Sequence, residues 1–398
     1  MDGGKIDETV KNIGKITFNM PNKGKILLTI IYEFKLKINQ IILWISIKLG
    51  LVRAIMIVPY QGFGKNNQLL VVGRVLRDNR IKKATPGDSV WKNIDKMVRR
   101  FQTIVIPNVR VKAEFQGEEF IAVTNEEGYF EFDFKIATPI QLQSRWQKVQ
   151  LTLLDVVIRR QGQVSAIGEV FIPSGKIDYG IISDIDDTII PTGAMRLTEM
   201  LKTTFSKNAY SRVPFAGVSA LYQSLEKGKD GIESNPFFYV SSSPWNLYDF
   251  LLELLEVHHI PQGPLMLRDI GLSRTELISG SHEEHKLQQI RNILSLYDKL
   301  PFMLFGDSGQ DDPAIYLQIV KEFPGRILIV FIRDIHPSRR AIADGIRLKM
   351  KELGVEMMLV EDTVEATKHA INQGWVLSDD LLKVAEKKQK DEVENKQA

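Results

Sequence analysis

The sequence predicts an α/β protein, with a doubly wound parallel sheet preceded by a smaller antiparallel β-sandwich. Three observations carry this reading. From Ile177 onward, strand-like apolar runs alternate with helix-like runs, the pattern of a parallel sheet covered on both faces. From Gln68 to about Ile172 the runs are short, β-branched and aromatic, and turn signals such as PGD, QGEE and NEEG separate them. The length, 398 residues, exceeds what one hydrophobic core usually organises.

Taken in order, residues 1–60 form a basic, apolar, helical segment. Residues 1–53 hold nine Lys/Arg against four acids. Their longest uncharged stretch within 26–57, Ile38 to Ile47, is too short to span a bilayer. Two readings stand: a helical hairpin packed on the domain behind it, or an interfacial segment on an anionic membrane surface. Residues 66–175 are the sandwich, of immunoglobulin or transthyretin type. Within it, Phe130, Phe132 and Phe134 alternate with Tyr129, Glu131 and Asp133, which predicts a strand buried on one face. Residues 176–378 are the larger α/β domain. Its strands are expected at DYGIIS, PFFYVS, PFMLFGD, RILIVFIRD and VEMMLVED. Residues 379–398 are a charged tail, read as a frayed or disordered helix.

Composition narrows the chemistry. There is no cysteine, which removes disulfides, thiolate zinc sites and a thiol nucleophile. The N-terminus has no secretory signal pattern, and a net charge of +3 implies no nucleic-acid partner. A cytoplasmic location, with peripheral membrane contact through residues 1–57, is the expectation.

In a parallel sheet the site lies at the carboxyl ends of the strands. That rule selects Ser183–Thr188, Ser241–Ser243, Gly306–Asp311 and Arg333–Asp334. Asp184, Asp186 and Asp187 follow the apolar strand YGIIS, and three clustered carboxylates call for a cation with oxygen ligands. An acidic turn is the plainer alternative. Asp307 and Asp311 follow PFMLF, on a second strand end within side-chain reach of the first. Asp311 also suits a helix cap before Pro313. Ser241 and Ser242 follow PFFYV and suit either phosphate oxygens or capping. Lys286, in HEEHKLQQI, can balance charge in an acidic site, or lie exposed.

The order DxDxT, Ser, Lys, GDxxxD closely resembles the haloacid dehalogenase (HAD) superfamily of phosphohydrolases. The resemblance implies a HAD-like domain in which Asp184 is the nucleophile and forms an aspartyl-phosphate. It implies Asp186 as general acid and base, and phosphoryl contacts from Ser241 or Ser242, Lys286 and Thr188. The cofactor would be Mg²⁺, held by Asp184, Asp186 through its carbonyl, Asp307 and Asp311. More narrowly, SDIDDT, VSSSPWNLYDFL, GPLMLRD, HEEHK and GDSGQDDPAIY resemble the App1-type phosphatidate phosphatase family, and SDIDDT resembles the lipin motif. That implies a phosphoric monoester hydrolase converting phosphatidic acid to diacylglycerol and phosphate. Trp245, Arg268 and Asp269 are candidate head-group contacts. The spacings leave no room for a large cap domain, so the site is expected to be open. Rival readings are a phosphatase for soluble monoesters or a phosphoprotein, and a non-catalytic lipid-binding scaffold.

Overall fold

A computed structural model of the chain describes residues 22–52, 54–65, 67–79, 104–137, 144–192, 213–232, 234–268 and 282–397, with isolated positions between them. The first described element is α1 (Asn22–Lys48). The expected hairpin is one continuous helix. Leu36 is buried, and Leu43 and Ile47 pack on the β-rich core behind it. Spacings of seven and eleven keep these three on one stripe.

Among the described residues the β-rich domain has eight strands: β1 (Ile55–Pro59), β2 (Gly62–Lys65), β3 (Gln68–Arg77), β4 (Arg110–Phe115), β5 (Glu118–Val123), β6 (Tyr129–Lys135), β7 (Trp146–Leu153) and β8 (Ser165–Phe171). β1 and β2 precede the start expected at residue 66. Hydrogen bonds join all eight into a single sheet, where a sandwich would have two. β6 pairs one flank of β3, while β1 and β2 share the other. The path continues through β8, β7 and β4 to β5. Phe120 of β5 stacks on Phe134 of β6 at 3.9 Å, so the sheet curls until its two ends meet. The pairings are antiparallel except β2 with β8. Along β6 the alternation holds, with Phe130, Phe132 and Phe134 inward.

The second sheet is parallel and, among the described residues, six-stranded: β9 (Gly180–Ser183), β10 (Phe237–Pro244), β11 (Leu265–Arg268), β12 (Phe302–Asp307), β13 (Ile327–Arg333) and β14 (Glu356–Val360). The spatial order is β11-β10-β9-β12-β13-β14. Chain direction across the sheet therefore reverses between β9 and β12, which opens a crevice at their carboxyl ends. β11 is only four residues long and was not among the expected strands. Two cores flank this sheet. One takes α2 (Val218–Lys227), α3 (Tyr248–Val257) and α7 (Thr363–Asn372). The other takes α4 (His282–Leu296), α5 (Asp312–Glu322) and α6 (Arg340–Glu352). The expected α/β architecture, with helices on both faces, is what the chain adopts.

The charged tail is α8 (Asp380–Gln397), and it is docked. Val384 is fully buried. The Gly217 N–H donates to Asp391 Oδ2 at 2.9 Å, and Lys388 pairs with Asp362 at 2.8 Å. Gly217 sits at φ 79°, in the left-handed region that glycine enters without strain.

Aromatic side chains join the two sheets. The Tyr60 ring stacks on Trp245 at 4.0 Å and meets Tyr248 edge-on at 4.7 Å. The Gln61 N–H donates to Tyr248 Oη at 2.6 Å, and Tyr297 Oη donates to the Gly64 carbonyl at 3.0 Å. Trp245, a candidate head-group contact, is instead used in this packing. Asp269 lies outside the described residues.

Candidate active site

β9 and β12 are adjacent, so their carboxyl ends bring Asp184 and Asp307 together. The backbone N–H of Asp184 donates to the Phe305 carbonyl at 2.9 Å, which fixes the point where β9 ends. The turn that follows is tight. Asp187 adopts φ 60°, a region where Asp is one of the tolerated residues, and its Oδ1 accepts from Thr192 N–H at 2.5 Å. This turn carries Thr188 back over the strand end, where its hydroxyl donates to Asp184 Oδ2 at 3.2 Å.

Asp184, Asp307 and Asp312 each present a carboxylate oxygen within 4.8 Å of the others, and all three are buried. Lys286, on the first turns of α4, is the counter-charge. Its Nζ lies 2.9 Å from Asp184 Oδ1 and 2.6 Å from Asp312 Oδ1. Burial disfavours the charged ammonium, but Asp184 and Asp312 outweigh it and hold the lysine above its ordinary value. Burial also pushes the Asp184 carboxyl well above the usual range. Lys286 opposes that shift, while Asp312, Asp307 and Asp186 add to it. Asp307 is pushed up to about 8, by burial first and then by Asp312.

The two oxygens of Asp307 differ. Oδ1 accepts from the N–H groups of Gly309 and Gln310, at 2.6 and 2.9 Å. Oδ2 is buried and has no hydrogen-bond partner among the described residues. An uncompensated buried carboxylate oxygen is costly, and a hard cation with oxygen ligands would satisfy it. The residues present therefore fit a divalent metal.

Asp186 is set apart from this cluster. Its Oδ2 accepts from the hydroxyls of Ser241 (2.9 Å) and Ser243 (2.7 Å). Its backbone carbonyl accepts from the Gln310 amide at 3.4 Å. Ser241 was expected to meet a phosphate oxygen, and here its hydroxyl is engaged by Asp186. The second serine is Ser243 and not Ser242. Residues 241 and 243 share one face of β10, and residue 242 points to the other.

One expected ligand moves by a single position. Asp312, not Asp311, joins Asp184 and Asp307. Asp311 is half-exposed and pairs with Arg339 at 2.8 Å. On the opening turn of α5 the two neighbours diverge by about 100°, so only one can face the strand end. Asp312 also accepts from the Asp307 N–H through Oδ2 at 3.3 Å. Arg333, at the end of β13, donates from Nε to the Thr188 carbonyl at 3.1 Å, a support for the turn.

Gly306 makes room for this arrangement, because a Cβ there would stand 2.6 Å from Asp312 Oδ2. Gly306→Ala is expected to lower stability by about 1–3 kcal/mol through overpacking, read from urea denaturation midpoints at unchanged slope.

Residues 193–212 and 269–281, which bear on the expected open site, lie outside the described residues. Among the described residues, no helix is long and apolar enough to cross a membrane.

The fold and this cluster define a parallel α/β protein with a buried, cation-competent carboxylate site at its topological switch point. Residues 179–334 match the family model described as "Phosphatidate phosphatase APP1, catalytic domain". The App1-type resemblance read from the motifs is thereby borne out over the segment that builds the site. Phosphatidate phosphatase APP1 of Saccharomyces cerevisiae is 32% identical over 227 residues, 56% of this chain and 37% of that protein. An uncharacterized protein of Schizosaccharomyces pombe is 27% identical over 218 residues, 54% of this chain and 35% of its own length. The chain thus spans little more than a third of the length of the curated relatives it matches. Among solved structures, a carbohydrate acetylesterase from Xanthomonas citri aligns over 73% of this chain and 72% of its own. Its identity is 9% and the TM-score 0.24, a likeness too slight to bear on the fold.

Proposed function

We propose that this chain is a Mg²⁺-dependent phosphatidate phosphatase with a HAD-like catalytic domain, cleaving phosphatidic acid to diacylglycerol and phosphate. The observation that carries the reaction class is the buried contact of Asp184 with Lys286 beside the unsatisfied Asp307 Oδ2. The match of residues 179–334 to a phosphatidate phosphatase catalytic domain supports the substrate.

In this reading Asp184 attacks phosphorus. The new O–P bond forms as the bond to the glycerol oxygen breaks, giving an aspartyl-phosphate. Asp186, steadied by Ser241 and Ser243, gives its proton to the leaving oxygen. It then takes a proton from the water that attacks the phosphoryl group, and phosphate leaves with Asp184 regenerated. Thr188 holds one oxygen of Asp184, and Lys286 balances the charge of nucleophile and phosphoryl group. Asp184, Asp307, Asp312 and the Asp186 carbonyl are the groups that would hold Mg²⁺, which when bound neutralises phosphoryl charge.

The test is phosphate release from phosphatidate in detergent micelles and from a panel of soluble sugar phosphates, each with and without Mg²⁺. A clear preference for the soluble panel removes the lipid assignment. Inactivity on every ester favours a lipid-binding scaffold.

The metal reading also sets a pH dependence. Asp307 titrates at about 8 in the folded protein, against 3.8 for an ordinary Asp. Its folded-state pKa is raised, so without metal its contribution to stability is greatest at low pH and is lost as pH rises toward about 8. A cation replaces that proton. The rise in melting temperature on adding Mg²⁺ is therefore expected to grow between pH about 6 and about 8.5. A thermal shift that stays constant over that interval would count against Asp307 as a ligand.

A further inference from the structure

α1 is apolar on two opposite sides, and the described residues cover one of them. Leu43 and Ile47 pack on the β-rich core, and buried Leu36 shares their stripe. At about 100° per residue, Phe34, Ile38, Ile41, Ile42 and Ile45 fall on the diametrically opposite stripe. They are 39% to 65% exposed. Leu49, just past the helix, continues the same line at 68% exposure. A solvent-facing helix side would ordinarily be polar. Along one edge of the stripe lie Lys37, Trp44 and Lys48, with the Lys48 ammonium 5.0 Å above the Trp44 ring. Aromatic rings and lysines with long stems are the groups that sit at head-group level when apolar neighbours enter a bilayer.

We propose that this outer stripe lies in the interface of an anionic membrane, with α1 flat on the bilayer and the β-rich domain held behind it by the inner stripe. The helix does not cross: Lys35 and Lys37 interrupt it, and no described helix is long and apolar enough to span. Charge selects the occupant. Residues 1–53 carry nine basic side chains against four acidic ones, which attracts anionic lipid. Two copies meeting stripe to stripe would bring two such basic segments together, which is unfavourable. The preference for a lipid occupant rests in part on the phosphatidate reading of the site, whose substrate is itself an anionic lipid.

The experiment uses the full chain and vesicles of phosphatidylcholine with and without phosphatidylserine, a lipid that is not the proposed substrate. The wild type is expected to sediment with the anionic vesicles and weakly with the neutral ones. The outward-facing pair Ile41→Glu/Ile45→Glu is expected to lose about tenfold or more of that binding. Its thermal melt and its hydrolysis of a soluble phosphate ester are expected to match the wild type. The proposal is overturned if the wild type ignores anionic vesicles or if the double variant binds as well as the wild type. It is equally overturned if the substitution splits a dimer on gel filtration while neither protein binds lipid, which would assign the stripe to a second copy. Failure of the phosphatase reading is separately visible, as absence of phosphate release from every ester while vesicle binding persists.

Discussion

Asp184→Asn is expected to lower phosphate release by about 10⁴-fold or more, with the fold intact. The amide keeps the shape of the carboxylate, so Thr188 and Lys286 retain a neighbour of the same size, but it cannot form a stable acyl-phosphate. Stability is expected to hold or to rise. Asp184 is one of three buried carboxylates within 4.8 Å, and its carboxyl is pushed well above the usual range by burial. Replacing it by a neutral group relieves repulsion on Asp307 and Asp312. Asp312 still faces Lys286 at 2.6 Å, so the ammonium keeps a partner. The decisive measurement pairs initial rates on phosphatidate with a urea melt at neutral pH. Retained turnover in a folded Asp184→Asn protein would remove Asp184 as the nucleophile. A variant that is inactive but less stable would instead show that the lysine depends mainly on Asp184.

How far the sequence reaches can be judged at individual residues. Asp184 and Asp307 were legible because a strand's end is marked by an apolar run breaking into acid, and a parallel sheet aligns such ends. Lys286 was legible only jointly with them, since its helix offers no local reason for burial. Asp312 was hidden by its neighbour. Asp311 and Asp312 lie four and five positions after Asp307, and which of the two faces the strand end depends on how α5 is rotated against β12. The exchange of Ser243 for Ser242 is a matter of strand parity: had β10 been counted through Pro244, Ser241 and Ser243 would have fallen on one face.

The fold follows the same division. The long apolar strands of the parallel sheet were plain, while β11 is four residues at its edge and lacks the length that periodicity needs. β1 and β2 were obscured by proline and glycine in IMIVPYQGFGK. The turn presents Tyr60 to Trp245 of the other sheet, and Gly62 lets β2 approach β3 closely, since a Cβ there would stand 2.1 Å from the Leu70 carbonyl oxygen. The C-terminal helix looked disordered because most of its hold is tertiary. Buried Val384 and the Asp391 contact with Gly217 are invisible to composition.

Lys286→Met is expected to be the most destabilising single change at the site, by about 3–5 kcal/mol near neutral pH. The side chain is 3% exposed and lies against two carboxylates, so a methionine fills its volume while leaving Asp184, Asp307 and Asp312 with no buried cation. Without Mg²⁺ the loss is expected to shrink on acidification. Removing the lysine takes away the charge that opposes the raised pKa of Asp184 and Asp307 in the folded state alone, so the variant's stability is present at low pH and is lost as pH rises. Urea midpoints at pH about 5.5 and about 8.5 separate this from simple loss of packing, which would give the same deficit at both. Adding Mg²⁺ at the higher pH is expected to restore part of the stability, because a divalent cation supplies the missing charge. Turnover is expected to fall by about 10²–10³-fold even where the fold is restored, since in the proposed reaction the ammonium balances the charge of the phosphoryl group. A deficit indifferent to both pH and Mg²⁺ would mean that Lys286 acts as packing and not as the counter-charge of the site.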